Sequence, residues 1–403
     1  MKVLSLFDGM SCGMIALKNL GVDVEVYDAY EIDKYAIMTS AHNFPEIHHK
    51  GDVFHAVYYS GQYDLLIGGS PCTYWSIAQK NNREVKASGI GWELFKQYAR
   101  ALNTVKPKCF LYENSKSISA VIRESISSTF GFEPIMINSA LVSAQNRQRL
   151  YWCGILNADG TYRKAEISLP EDRGILLKDI LENGEDLTAN EKSYTLTATY
   201  NGAVAWNTIE RKQRNMVAEA VIINRAHGFN RGGVKEGKAP TLTANGSWQH
   251  NNYVCEPIKV GCFPSPDGTL KNSQGMRIDS AGGKSVGIKA QGGGAGAKTG
   301  LYAIPTSKPI YEVKGGKIII KGKSYPIKLA DGYYTIRKLT VKECMRLQTV
   351  PEWYSFPVSN NQAYKMLGNG WTVEVIAHIL NGFLKEKMQD SQYLIKGERE
   401  ETK

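Results

Sequence analysis

The chain has 403 residues, 42% of them hydrophobic and 22% charged, which fits a folded protein of one large or two smaller domains with a sizeable core. No apolar run approaches the roughly 18 residues of a membrane-spanning helix, and the start enters a strand pattern without a basic, apolar leader, so a cytoplasmic protein with no membrane partner is expected. The seven cysteines are odd in number and scattered without a CxxC pair, which argues against zinc sites and a disulfide framework and leaves reduced thiols with no metal.

In chain order, Val3 to Phe7 is a short apolar run entering the glycine turn Asp8 to Gly13. A helical pattern, Met14 to Leu20, and a second strand, Val24 to Tyr27, complete a βαβ opening. Tyr63 to Gly69 and Cys109 to Tyr112 read as buried strands, with Glu93 to Val105 as the helix between them. This alternation predicts a doubly wound α/β sheet, and such sheets bind ligands beyond the carboxyl ends of their strands. The first turn, Ser70-Pro71-Cys72 and Glu113-Asn114 all fall at that edge. Glu31, after the second strand, can hold ribose hydroxyls, and Asp52 adds a further polar group. The turn lacks GxGxxG spacing, so a purely structural role for its glycines stays open. Cys72 follows a strand, a glycine pair and Pro71, which presents its thiol on a rigid loop; with no adjacent histidine, a hydrolase triad fits poorly.

The middle of the chain has another texture. Between Arg211 and Lys328 there are 19 Lys and Arg against 6 Asp and Glu, a surplus of 13 where the whole chain carries +10. The remainder is therefore slightly acidic, and the basic segment is the footprint expected for a polyanion such as DNA or RNA. It also holds 19 of the 39 glycines, which predicts turns and short strands. Lys192 to Ala198 (KSYTLTA) recurs as Lys238 to Ala244 (KAPTLTA), with a blurred third copy at Lys284 to Ala290, and each unit reads as a β-hairpin. Asn245, Trp248 and Gln249 are candidate readers of base edges. Thr372 to Met388 is apolar at helical spacing, and the charged tail 389–403 reads as loose.

Six motifs in order, together with two acidic positions between the first and the second, resemble the DNA (cytosine-5) methyltransferase family. Phe7-Asp8-Gly9 to Gly13 resembles its cofactor loop, Glu31 and Asp52 its ribose and adenine acids, and Gly69-Ser70-Pro71-Cys72 its Pro-Cys nucleophile. Glu113-Asn114-Ser115 resembles Glu-Asn-Val, Gln145 to Arg149 matches Gln-x-Arg-x-Arg, Arg337 to Gln348 matches the motif after the recognition domain, and Gly368 to Val373 closes the series. Departures are Thr73 for Gln, Ser115 for Val, a missing middle glycine in the cofactor loop, and Gly370-Trp371 for Ser-Val.

The resemblance implies a Rossmann-like S-adenosylmethionine-dependent methyltransferase sheet, residues 1–159 and 334–388, interrupted at 160–333 by a β-rich, glycine-rich target recognition domain. It implies Cys72 as nucleophile and Glu113 as the carboxyl at the base. Of Arg147 and Arg149, spaced to point the same way from an extended segment, it implies that one clamps the base and the other orders the site. Cofactor contacts are implied for Phe7, Asp8, Gly9, Gly13, Glu31, Ile32, Asp52, Val53, Ser70, Asn369, Trp371 and Thr372. The partner would be double-stranded DNA, in a prokaryotic or phage-infected cytoplasm, with a cognate restriction endonuclease as a further partner. Two rivals stand beside it: an RNA cytosine-5 methyltransferase, whose branch lacks so large an insertion, and a catalytically silent DNA-binding protein, which would have lost Cys72 or Glu113.

Overall fold

A computed structural model describes residues 1–75, 83–187, 190–224, 233–236, 252–253, 278–280, 301–303 and 310–386. The chain divides into two compact units, Met1–Ile180 with Glu191–Gly202 and Thr340–Lys403, and Leu181–Asn190 with Ala203–Leu339.

The first unit is built on eight strands: β1 (Lys2–Leu6), β2 (Val26–Tyr30), β3 (His48–Gly51), β4 (Leu65–Gly68), β5 (Cys109–Ser115), β6 (Ile135–Asn138), β7 (Gln148–Leu156) and β8 (Tyr162–Lys164). Their order is β3-β2-β1-β4-β5-β7-β6, with β8 paired to β7. From β3 to β5 every pairing is parallel. The short apolar strands are buried on both faces, as a parallel sheet covered by helices requires: Leu65, Leu66 and Ile67 in β4 and Cys109 to Tyr112 in β5 are almost wholly inaccessible. The helices are α1 (Cys12–Asn19), α2 (Lys34–Asn43), α3 (Ile90–Val105), α4 (Ala120–Phe130), α5 (Leu177–Ile180) and, after the second unit, α7 (Val341–Leu347), α8 (Asn360–Asn369) and α9 (Val373–Glu386), with α6 (Ala205–Arg211) in that second unit. No helix among the described residues is long and apolar enough to cross a membrane.

The chain winds outward from β1 to β3 on one side and from β4 to β5 on the other. The reversal lies between β1 and β4, and at such a switch point the loops beyond the strands' carboxyl ends diverge and leave a crevice. Strand β7 is the departure from simple alternation. It lies antiparallel between β5 and β6, with Ser115 opposite Arg149 and Asn138 opposite Gln148. The short connection from β6 turns straight back, which only an antiparallel strand can do. Phe95, Tyr98, Phe110, Tyr112, Phe130 and Trp152 fill the side of the sheet under α3 and α4, mostly edge to face. At the other end of the chain α9 packs on α1, which joins the C-terminal part to the first βα unit.

The second unit is β-rich. An antiparallel sheet runs β11 (Gly233–Glu236), β10 (Met216–Asn224), β18 (Gly332–Lys338), β15 (Ile310–Lys314), β16 (Lys317–Ile320) and β17 (Lys323–Pro326). Strands β9 (Glu185–Asp186) and β12 (Asn252–Tyr253) also pair with β10, and β13 (Ile278–Ser280) with β14 (Leu301–Ala303) forms a separate parallel pair.

The units cut the chain elsewhere than the expected boundaries at 160 and 333. Segment 160–180 stays with the first unit because β8 extends its sheet and Leu177 is buried there. Strand β18 runs unbroken through residue 333, so 334–339 go with the second. The first KSYTLTA copy corrects the hairpin reading. Lys192 to Ala198 belongs to the first unit and forms no hairpin; Ser193 makes one isolated bridge to Gln145, and Leu196 is held by the side chains of Gln145 and Arg147. The other two copies, Asn245, Trp248 and Gln249, and the tail lie outside the described residues.

Candidate active site

The crevice has two walls. On the side of β1 to β3, the loop after β1 is tightly wound: Phe7, Gly9 and Ser11 take left-handed backbone angles, with φ of 59°, 60° and 59°. Asp8 fastens it from within. Its carboxyl accepts from Ser5 Oγ at 2.6 Å, Tyr27 OH at 2.8 Å and Ser11 Oγ. Burial pushes the Asp8 pKa above its ordinary value against these hydrogen bonds. Glu31, just past β2, fastens the loop from outside, accepting from Gly9 N at 2.8 Å, Ile32 N at 2.7 Å and Asp33 N at 2.8 Å. Tyr354 OH, from far down the chain, donates to Met10 O at 2.7 Å.

In front of this loop the surface is open. A side chain at Gly9 would meet nothing within 4 Å, and the same holds at Gly51 at the end of β3. Ile32 is 73% exposed at the rim. Asp52 accepts from Phe54 N at 3.0 Å and so caps a short turn in which Val53 is buried. Gly13 serves packing instead. A Cβ there would lie 2.2 Å from Ile67 Cδ1, so its missing side chain lets α1 seat on the sheet.

The second wall is built on β4, β5 and β7. Gly69 follows β4, and a Cβ there would fall 2.8 Å from Glu113 O and 2.9 Å from Glu113 Oε2. Ser70 is buried, its hydroxyl 2.6 Å from Tyr112 OH, and Asn114 Nδ2 donates to Ser70 O at 3.3 Å. Pro71 then leads into a single 3-10 turn, Cys72–Tyr74. Beyond it, Arg83 donates to Trp75 O at 3.0 Å and Ser117 O at 2.6 Å, tying the loop to the segment after β5. Glu113 is nearly enclosed. Arg149 Nε lies 3.0 Å from its Oε1, and Trp371 Nε1 donates to its Oε2 at 2.9 Å.

Arg147 and Arg149 differ in their partners. Arg147 is buried and donates to Leu196 O at 2.9 Å, Gly368 O at 3.2 Å and Gly370 O at 2.8 Å. Gln145 accepts from Leu196 N at 2.7 Å and donates to Leu347 O at 3.1 Å. Together they hold the 192–198 segment as a strap. Lys192 anchors its start on Ala140 O at 2.9 Å, Ser143 O at 3.3 Å and Ile175 O at 2.5 Å. Gly368 closes on its end so tightly that a Cβ there would lie 2.2 Å from Ala198 N.

Thr372 is buried and turned into the protein, with its hydroxyl 2.8 Å from Ser139 Oγ and 2.9 Å from Gln348 Oε1. Asn369 is exposed at the end of α8. The motif around Thr340 has a local explanation: Thr340 and Glu343 form a capping box that starts α7, and Glu343 is fully buried. Burial pushes the Cys12 thiol up to about 12 and those of Cys153 and Cys344 also upward, so none of these three is poised as a nucleophile.

Sequence reasoning overlooked Tyr112, Tyr354, Gln348 and Lys192 as parts of the site. Gln348 ends the motif that begins at Arg337, whereas the two tyrosines carried no local signal, since an isolated tyrosine in an apolar run reads as core.

The family model described as C-5 cytosine-specific DNA methylase matches residues 1–385. The orphan methyltransferase M.SPRI of Bacillus phage SPR is 27% identical, over 94% of this chain and 96% of its own length. The type II methyltransferase M.BanI of Aneurinibacillus aneurinilyticus is 24% identical, over 93% and 92%. Among solved structures, a variant of Spodoptera frugiperda DNMT2 is similar in fold, with a TM-score of 0.50 and 16% identity over 95% of this chain and 99% of that one. With the mixed α/β sheet and a match through nearly its whole length, the chain belongs to the C-5 cytosine-specific DNA methylase family.

Proposed function

We propose that this chain methylates C5 of a cytosine flipped out of double-stranded DNA, through a covalent adduct between Cys72 and C6. The observation that carries the reading is the Glu113 carboxyl, held between Arg149 and Trp371 and pressed against Gly69, three residues before Cys72. Cytosine C5 is a poor nucleophile until a thiolate adds at C6 and turns the ring into an enamine. As the Cys72 S–C6 bond forms, the ring electrons move toward C5 and N3, and Glu113 holds a proton at N3. Arg149, beside that carboxyl, is the arginine suited to the cytosine carbonyl oxygen. Arg147, spent on main-chain carbonyls, orders the wall. After methylation the C5 proton leaves to a base, its bonding pair restores the C5–C6 double bond, Cys72 departs as thiolate with the S–C6 pair, and N3 returns its proton to Glu113.

Family members take their methyl group from S-adenosylmethionine, which supplies an electrophilic methyl when bound. The residues of the first wall fit it chemically. Two carboxylates, Glu31 and Asp52, stand at neighbouring strand ends for hydroxyl and amine groups, the exposed Ile32 offers an apolar face, and the ground before Gly9 and Gly51 is open. Phe7 and Val53 support that wall, whereas Ser70 and Trp371 belong to the second, Thr372 is turned into the protein and Asn369 is exposed at the end of α8. Asp8 and Gly13 act through the loop and helix they fasten.

Extruding the base costs roughly a few kcal/mol, and the basic second unit is the source we assign for compensating phosphate contacts. The test is transfer of labelled methyl from S-adenosylmethionine to unmethylated duplex DNA, with transfer RNA in parallel and the product base identified by mass spectrometry. The expected product is 5-methylcytosine in DNA alone, lost in Cys72→Ala while DNA binding persists. Label only in RNA would overturn the substrate, and activity retained in Cys72→Ala the covalent route.

A further inference from the structure

We propose that Trp371 is a positioning residue whose indole N–H sets the Glu113 carboxyl, and that the turn carrying it links the cofactor wall to the base wall; this rests on the role proposed for Glu113. The two oxygens of Glu113 are held by donors of different origin. Arg149 comes from β7, the adjacent strand, and its Nε is 3.0 Å from Oε1. Trp371 comes from the turn between α8 and α9, 258 positions away, and reaches Oε2 at 2.9 Å.

That turn is rigidly supported. Arg147 donates to Gly368 O and Gly370 O, and Gln348 Nε2 donates to Leu367 O at 2.6 Å and Gly370 O at 3.2 Å. Its inner side lies against the start of α1: a Cβ on Gly370 would be 3.2 Å from Cys12 Sγ. The indole N–H is thus delivered to Glu113 from a fixed scaffold, and α1, which bears on the turn, begins directly after the Phe7–Ser11 loop.

The chemistry suits the placement. A carboxyl that gives a proton to N3 becomes a carboxylate, and an N–H directed at it stabilises the ionised form. Indole is a donor only, so it orients the carboxyl without competing for the proton being exchanged. Lacking a Cβ, Gly69 leaves Oε2 its place beside the end of β4, where a Cβ would fall 2.9 Å from it.

Trp371→Phe keeps an aromatic ring at the turn and removes the pyrrole part of the indole with its N–H. The expected result is a roughly five- to tenfold fall in kcat, the size of one lost hydrogen bond, with KM for DNA and the Kd of S-adenosylmethionine by calorimetry changed less than about twofold. Unchanged kcat, or a loss carried wholly by the Kd, would overturn the proposal. A readout without turnover is a double-mutant cycle on chemical unfolding with Glu113→Ala. Coupling between the two sites supports the contact, and additivity overturns it. Coupling in a protein that makes no 5-methylcytosine would uphold the contact and defeat the proposed function instead.

Discussion

The two walls of the crevice hold their carboxylates in opposite ways. Glu31 and Asp52 accept main-chain N–H groups from residues one or two positions further on, and Glu31 adds the N–H of Gly9 on the adjacent β1 loop. Glu113 accepts instead from two side chains remote in sequence. A carboxylate satisfied by its own loop is ready-made and local. One satisfied by Arg149 and Trp371 exists only when β7 and the α8–α9 turn have docked. The carboxylates of the first wall are therefore held mainly by short-range geometry, and that of the second by closure of the whole unit.

That contrast can be broken at its tightest point. Gly69→Ala would place a Cβ 2.9 Å from Glu113 Oε2 and 2.8 Å from its main-chain oxygen. Because backbone cannot yield there, Glu113 should shift, and displacements near 1 Å cost on the order of 100-fold. Steady-state kinetics should show that loss in kcat with donor affinity nearly intact; equal activity would mean that Glu113 tolerates movement. On the other wall, Glu31→Ala should act on binding instead. Loss of charge-assisted hydrogen bonds is worth about 1.5–3 kcal/mol, so calorimetry should find the donor bound roughly ten- to a hundredfold more weakly. A fall in kcat at saturating donor, with affinity unchanged, would erase the distinction between the walls.

The smallest effect concerns Asp33, which caps α2 through Tyr35 N and pairs with Lys365 Nζ at 2.6 Å. Desolvation raises its pKa, but the Lys365 contact and the Tyr35 N–H outweigh it and hold the carboxyl below its ordinary 3.8. The stability it contributes is therefore present above the unfolded value and lost as pH falls through the lowered one. Lys365→Met should cost about 0.5 kcal/mol at neutral pH, as expected of a partly exposed pair, and should lessen the acid sensitivity of unfolding as pH falls below the ordinary carboxyl value. A difference that grew toward acid would contradict this.

Much of the first unit was legible because parallel strands alternate with helices and chain direction alone gathers their carboxyl ends. Val3 to Phe7, Tyr63 to Gly69 and Glu93 to Val105 lie within three residues of β1, β4 and α3. The second strand was read two to three residues early, since Val24 sits in the approach to β2 rather than in its ladder. Strand β7 escaped as a strand between β5 and β6, because alternation carries no information about which neighbour a returning segment will choose. The KSYTLTA repeat misled at Lys192 to Ala198 for a related reason. Its main chain finds Gln145, Asn146 and Arg147 across the fold, where a hairpin would need its own neighbour.

By itself, then, the sequence determined the strand direction, the acids at the strand ends, the place of Cys72 in the turn that follows Pro71, and the basic charge of the inserted region. These depend on spacing over a few residues and on composition. Only the tertiary structure decided that Arg147 supports main chain while Arg149 faces Glu113, and that Trp371 completes the carboxyl's partners. Two arginines spaced two apart are equivalent in sequence until distant carbonyls and carboxylates arrive to distinguish them, and a hydrogen bond spanning 258 positions forms only once the chain's two ends have packed through α1 and α9.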